Sequence, residues 1–186
     1  MLDKGYIKKA WDLYIEEPLP FILAAIIFTL LEVLTAGILT GPVICGYIYM
    51  TFKKIKGERI SFEDSFWGFH HLEKTFIPGL LYAVIVIGGF SLFIIPGVIF
   101  GAMLIYAFPL VVDKNLATLD AFKESWELTS KNILEHSLFY LVVSLIGISG
   151  ALLFGVGVVF TLPLGIIPFA IAYYSLTYPA EEKAEI

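Results

Sequence analysis

Glu32 is the side chain with the strongest claim to chemistry. It is the single charge between Leu19 and Phe52. An ionisable group inside a membrane span costs at least a few kcal/mol and reads first as a proton or cation site. The plainer reading places it at the outer interface, or keeps it protonated against a hydroxyl or a backbone group. It lies about 13 residues into its helix, roughly 20 Å along it at 1.5 Å per residue. His70, His71 and Glu73 are the nearest thing to a metal set. Adjacent histidines point about 100° apart on a helix, so they do not converge on one ion as zinc ligands at i and i+4 do. Cys45 and His136 supply no nearby partners to that set, and one cysteine excludes an intrachain disulfide. Ser125 and Ser144 have no matched base, and no G-x-S-x-G, H-E-x-x-H or P-loop pattern occurs. The chain is read as a non-enzyme, with no metal and no cofactor. A formal charge of −5, with no nucleic-acid motif, argues against a nucleic-acid partner.

These residues sit in a chain that is mostly apolar. Hydrophobic types make up 59% and charged types 16%, against roughly 45–50% and 25% in soluble domains. The run from Phe76 to Val112 holds no Asp, Glu, Lys, Arg or His over 37 positions. One crossing takes about 20 apolar helical residues, so this run predicts two spans, near 77–94 and 98–112. The break between them is placed at Ile95-Pro96-Gly97, where proline and glycine favour a turn. Leu19–Phe52 predicts a second hairpin, with helices at 19–38 and 42–54 and a turn at Thr40-Gly41-Pro42. Leu138–Thr177, 40 residues without charge, predicts a third, broken between Gly155 and Pro163. Gly37-x-x-x-Gly41 and Gly97-x-x-x-Gly101 have the spacing of close helix contacts, within the chain or at an oligomer face.

An amphipathic stretch precedes each hairpin. In 3–17, Ile7, Ala10, Trp11 and Tyr14 share a face. This stretch lacks the apolar core and cleavage site of a removed signal, so it is expected to stay. In 60–74, Ser61 and Asp64 form a capping-box start, and Phe62, Phe66 and Phe69 share a face. In 118–133, Phe122 and Trp126 do so. Trp11, Tyr14, Phe62, Phe66, Trp67, Phe122 and Trp126 are expected at headgroup depth as interfacial anchors.

The pattern repeats. KKAWDL (8–13) matches KESWEL (123–128), with a weaker copy at Phe62, Ser65 and Phe66, and each hairpin carries a proline: Pro42, Pro96 and Pro163. The fold class that follows is an all-α integral membrane protein. It has six transmembrane helices arranged as three proline-turn hairpins, each behind an amphipathic interfacial helix. One membrane domain, 1–186, then holds three parallel repeat units at 3–56, 60–114 and 118–178, with a charged tail at 179–186. All 12 Lys and Arg residues lie outside the hairpins, and KKIKGER (53–59) is the densest basic patch. The positive-inside rule then makes both termini and all three amphipathic helices cytoplasmic, in a multi-pass protein of the cell membrane.

The stretches IIPGVIF (94–100), FPLVVDK (108–114), AFKESWELTSKN (121–132), TLPL (161–164) and AIAYYSL (170–176) carry a resemblance. Over roughly residues 60–178 the chain is similar to prokaryotic multi-pass membrane families related to the membrane domain of glycerophosphodiester phosphodiesterases. Its most specific parts are Pro96-Gly97, Pro109 with Asp113, and the Ser125-Trp126 helix running to Asn132. The resemblance implies a six-helix membrane domain and no reaction.

The expected function is a lipid- or partner-binding membrane module acting from the cytoplasmic face. Its partners are membrane lipids, with another membrane or cytoplasmic protein as the further possibility and the oligomeric state left open. The alternative is a small transporter or channel for an apolar or lipid-like substrate, or for protons through Glu32. An intramembrane enzyme ranks last because residues to do the work are missing.

Overall fold

The computed structural model describes residues 5–152 and 157–178, and among them every regular element is helical. The chain runs α1 (Gly5–Glu16), α2 (Pro18–Thr35), α3 (Thr40–Ile55), a 3-10 turn (Phe62–Phe66), α4 (Trp67–His70) and α5 (Leu72–Leu92). It continues through α6 (Ile94–Leu104), α7 (Ala107–Lys114), α8 (Thr118–Ser130), α9 (Ile133–Ser149), α10 (Val158–Leu164) and α11 (Ile167–Thr177). Five segments are long and apolar enough to cross a bilayer: Pro18–Thr35, Leu72–Leu92, Ile94–Lys114, Ile133–Leu152 and Val158–Thr177. The chain is a polytopic membrane protein. At 16 residues, α3 falls short of the span length the other five reach.

Two of the breaks come earlier in the chain than their prolines predict. The turn after α2 is at 36–39, not at Thr40-Gly41-Pro42. Ala36 takes a left-handed conformation (φ 50°), followed by Gly37 (φ 80°). The Gly37 N–H then reaches back to Glu32 O at 2.9 Å, which closes the end of α2 as a Schellman motif does. The turn after α5 is one extended residue, Phe93 (φ −164°, ψ 163°), not Ile95-Pro96-Gly97. Pro42 and Pro96 are the third residues of α3 and α6. The first four N–H groups of a helix have no partner within it, so a residue without an N–H loses nothing there. These prolines start helices just past the turns. Pro163 lies inside α10, and α9 leads into a 3-10 turn at Gly150–Leu152. Gly155 lies outside the described residues. The second break in that span, at Gly165–Ile166, follows Pro163 and separates α10 from α11.

The stretch 60–74 is not one amphipathic helix. The capping box forms, with Ser61 N–H donating to Asp64 Oδ2 at 2.8 Å, but it opens a 3-10 turn. The helix that follows stops at His71. Its ring nitrogen Nδ1 lies 2.9 Å from Trp67 O, the carbonyl that a continuing α-helix would use four residues on.

Along the chain, outer and inner helices alternate. Of the spans, 22% of α2, 28% of Leu72–Leu92 and 28% of Ile133–Leu152 is buried, against 67% of Ile94–Lys114 and 56% of Val158–Thr177. Eleven residues of α3 are buried, among them Tyr47, Ile48 and Met50. The centre is therefore α3, α6–α7 and α11, which touch one another, and the fully buried Tyr47, Tyr106 and Tyr173 each come from one of them. The outer faces of α2 and α5, with Val33, Leu34, Val84 and Ile87 exposed, are the faces a hydrocarbon solvent accepts. Where α3 meets the 62–79 stretch the backbones touch. A Cβ on Gly41 would strike Thr75 O and the Gly79 backbone, and one on Gly46 would strike Ser65 O. Gly97 and Gly101 likewise face Phe90 and Tyr140 of the same chain.

Candidate ligand cavity

The charged side chains at the ends of α3 and α7 are partnered. Lys54, in the last turn of α3, reaches Glu17 Oε2 at 3.1 Å and Glu16 Oε1 at 3.4 Å. One residue earlier, Lys53 Nζ donates to both oxygens of Asp64 at 2.9 Å. Burial alone would raise the Asp64 carboxyl, but Lys53 and the Ser61 N–H and hydroxyl together hold it below the usual aspartate range. Asp113, in the last turn of α7, accepts from the phenols of Tyr173 and Tyr178, both at 2.7 Å. That ties α7 to α11.

Between α1, the end of α3 and α11 lies a cavity of about 680 Å³. This falls within the 300–1,000 Å³ of small-molecule sites. Its walls divide by chemistry. Leu13, Ile15, Ile55 and Ile171 make the apolar side, while Lys9, Lys54, Asp12 and Glu16 make the charged rim, and Tyr6, Tyr174 and Ser175 complete it. Among the described residues Lys9 has no carboxylate within ion-pair distance. Both signs of charge above an apolar wall suit a ligand with a polar head and an apolar body.

The sequence candidates are scattered rather than gathered. Glu32 is at the far end of α2, where Thr40 Oγ1 stands 2.8 Å from its Oε2. Trp11 and Trp126 keep exposed rings at 49% and 43%, the disposition an interfacial anchor needs. Tyr14 and Phe122 do not: they are 5% and 9% exposed. Tyr14 packs on Phe21, and burial pushes its phenol up. The cause is that α1 lies on α10 and α11, and α8 on α6 and α7, so their apolar faces meet protein. Phe62 and Phe66 are half-buried against each other, and Trp67 stacks between Tyr49 and His71. Ser125 donates to Met103 O at 2.7 Å, Pro109 is the third residue of α7, and Asn132 precedes α9 without a side-chain cap. Ser125 and Pro109 are buried packing residues, and Asn132 is exposed. Among the described residues no His, Cys, Asp and Glu side chains gather in a group able to hold a metal.

Sequence reasoning passed over Lys9, Tyr174 and Ser175, and it used Lys54 only as a topology marker. The available signal was the lysine pair in KKIKGER, but nothing in one dimension brings residues 9, 54 and 174 together.

Residues 72–177 match the family described as the membrane domain of glycerophosphoryl diester phosphodiesterase. No curated protein matches the chain, and no solved structure does.

Proposed function

The chain belongs to the family of the membrane domain of glycerophosphoryl diester phosphodiesterase, and from that premise we propose a non-catalytic membrane module that holds a phospholipid headgroup at its cytoplasmic face. The observation that carries this reading is the cavity between α1, α3 and α11, charged at its rim and apolar in its wall. A headgroup phosphate meets Lys9 and Lys54 there, and a headgroup ammonium meets Asp12 and Glu16. The glycerol and the start of the acyl chains lie on Leu13, Ile55 and Ile171. Charge-assisted hydrogen bonds of this kind contribute about 1.5–3 kcal/mol each. A phospholipid headgroup is itself a glycerophosphoryl diester, the compound class in the name of the enzyme to which the family's membrane domain belongs.

In this reading α3 is the sixth crossing, both termini are cytoplasmic, and the three units form a parallel repeat. Three features support the repeat. Each unit has an outer first helix and an inner second one. The three matched small residues Ala10, Ser65 and Ser125 are all fully buried. Each amphipathic segment also packs on the inner helix of the unit before it: 62–70 on α3, α8 on α6–α7, and α1 on α11, which closes the ring.

The test is native mass spectrometry of the protein taken out in a patch of its own membrane, for wild type and for the double variant Lys9→Ala, Lys54→Ala. Wild type should carry phospholipid. The double variant should retain it at least about tenfold less well, from the loss of one or two charge-assisted bonds. Equal retention by a variant that still folds would remove the cavity from consideration.

A further inference from the structure

Away from the cavity, a second site is built at the turn between α2 and α3. Thr40 Oγ1 lies 2.6 Å from Gly37 O and 2.8 Å from Glu32 Oε2. A threonine hydroxyl has one proton and two acceptor lone pairs. Gly37 O is a carbonyl with no proton, so the shorter contact uses the proton of Thr40. The contact between Thr40 Oγ1 and Glu32 Oε2 then has to draw its proton from Glu32. The other oxygen, Oε1, is buried with no hydrogen-bond partner. An ionised carboxylate with a buried bare oxygen carries a heavy desolvation cost, whereas the carbonyl oxygen of a neutral acid carries a small one. The two observations are independent, and both favour the neutral form.

We propose that Glu32 is a proton-binding site, a neutral carboxylic acid at neutral pH whose proton is held between its Oε2 and the Thr40 hydroxyl. The surroundings supply no charge to change this. Packed along α2, α10 carries no titratable side chain. From α3 come Cys45, Tyr47, Tyr49, Lys53 and Lys54, and both lysines are held by carboxylates about 20 Å from Thr40 along the helix. The 3-10 turn brings Glu63 and Asp64, the latter bound to Lys53. The charges of α1, Lys8, Lys9, Asp12 and Glu16, belong to the helix that precedes the start of α2, and Glu32 is in its last turn.

The experiment is infrared difference spectroscopy of wild type against Glu32→Gln, both in lipid at neutral pH. A protonated-carboxyl band present in wild type and missing in the variant is the expected result, shifting on exchange into heavy water. The amide of glutamine offers Thr40 the same donor, so Glu32→Gln should fold and melt with wild type. Should it not fold, Thr40→Val gives the second reading. Losing its hydroxyl partner must move the same band. Absence of the band at neutral pH, with its appearance only in the ordinary acidic range of carboxylates, overturns the proposal, and so does a Thr40→Val spectrum identical to wild type.

Discussion

Replacing Gly46 with alanine tests whether α3 is held by backbone contact. The new methyl would land on Ser65 O, with Ser65 C at 2.9 Å and Ser65 Cα at 3.4 Å. All three atoms are main chain, so no rotamer change relieves the clash, and either α3 or the 3-10 turn has to move. Overpacking of this kind costs up to about 3 kcal/mol, while alanine returns about 1 kcal/mol in helix propensity. The net loss is then about 2 kcal/mol. For a chain of this length 1 kcal/mol moves Tm by about 2–4 °C, so Gly46→Ala should melt about 4–8 °C below wild type. Gly88→Ala is the matched control. Gly88 is also inside a helix, but a Cβ there meets nothing within 4 Å, so only the propensity gain remains and Tm should rise by about 2–4 °C. The assay is thermal unfolding in one detergent, followed by fluorescence of Trp67, which sits beside the contact. If Gly46→Ala and Gly88→Ala melt together, the close packing of α3 on Ser65 is not a source of stability and the reasoning fails.

Two further outcomes follow. Asp64 is held below its ordinary range in the folded state, so its contribution is full above that range and is lost as pH falls through the folded-state value. The Tm advantage of wild type over Asp64→Asn should therefore be constant near neutrality, begin to shrink near about pH 4 and be lost only below the folded-state value, whereas profiles that stay parallel through the whole acid range would show that the Lys53 pair is idle. In a Cys45→Ala background, cysteines at the exposed Ile38 and Ile95 should react with an impermeant thiol reagent added outside intact cells, and one at the exposed Leu119 only after lysis; labelling of all three only after lysis would mean that the hairpins do not cross.

Much of the architecture is written in the sequence because the bilayer is an exacting solvent. Uninterrupted apolar runs and the exclusion of lysine and arginine from them are enough to find the five helices of span length. The breaks were harder, because proline marks a helix start as readily as a turn. Pro42 and Pro96 follow the residues that actually bend, Ala36–Gly37 and Phe93, and neither Ala36 nor Phe93 has a composition that announces it. His71 interrupts its helix through a ring-to-carbonyl contact that propensity does not include. Tyr14 and Phe122 looked like lipid anchors because an apolar stripe has the same spacing whether it meets lipid or protein. The cavity was the least legible feature. Its walls come from residues 6–16, 54–57 and 171–175, and only the docking of α1 on α11 brings them together.

That docking also fixes an order of events in synthesis. The first helix of the described chain and the last are partners, so α1 leaves the ribosome long before the surface it will cover exists. The same is true of α3, whose buried face is shared with α7 and α11. Contacts this distant in sequence form late and slowly. Until α11 follows, α1 has Tyr14 against Phe21 but lacks most of the surface it will cover, and the short α3 lacks the neighbours that will enclose it. The cavity is consequently a product of completion: it appears when α1 docks on α11, and a chain stalled before α11 displays the lysines but not the cavity.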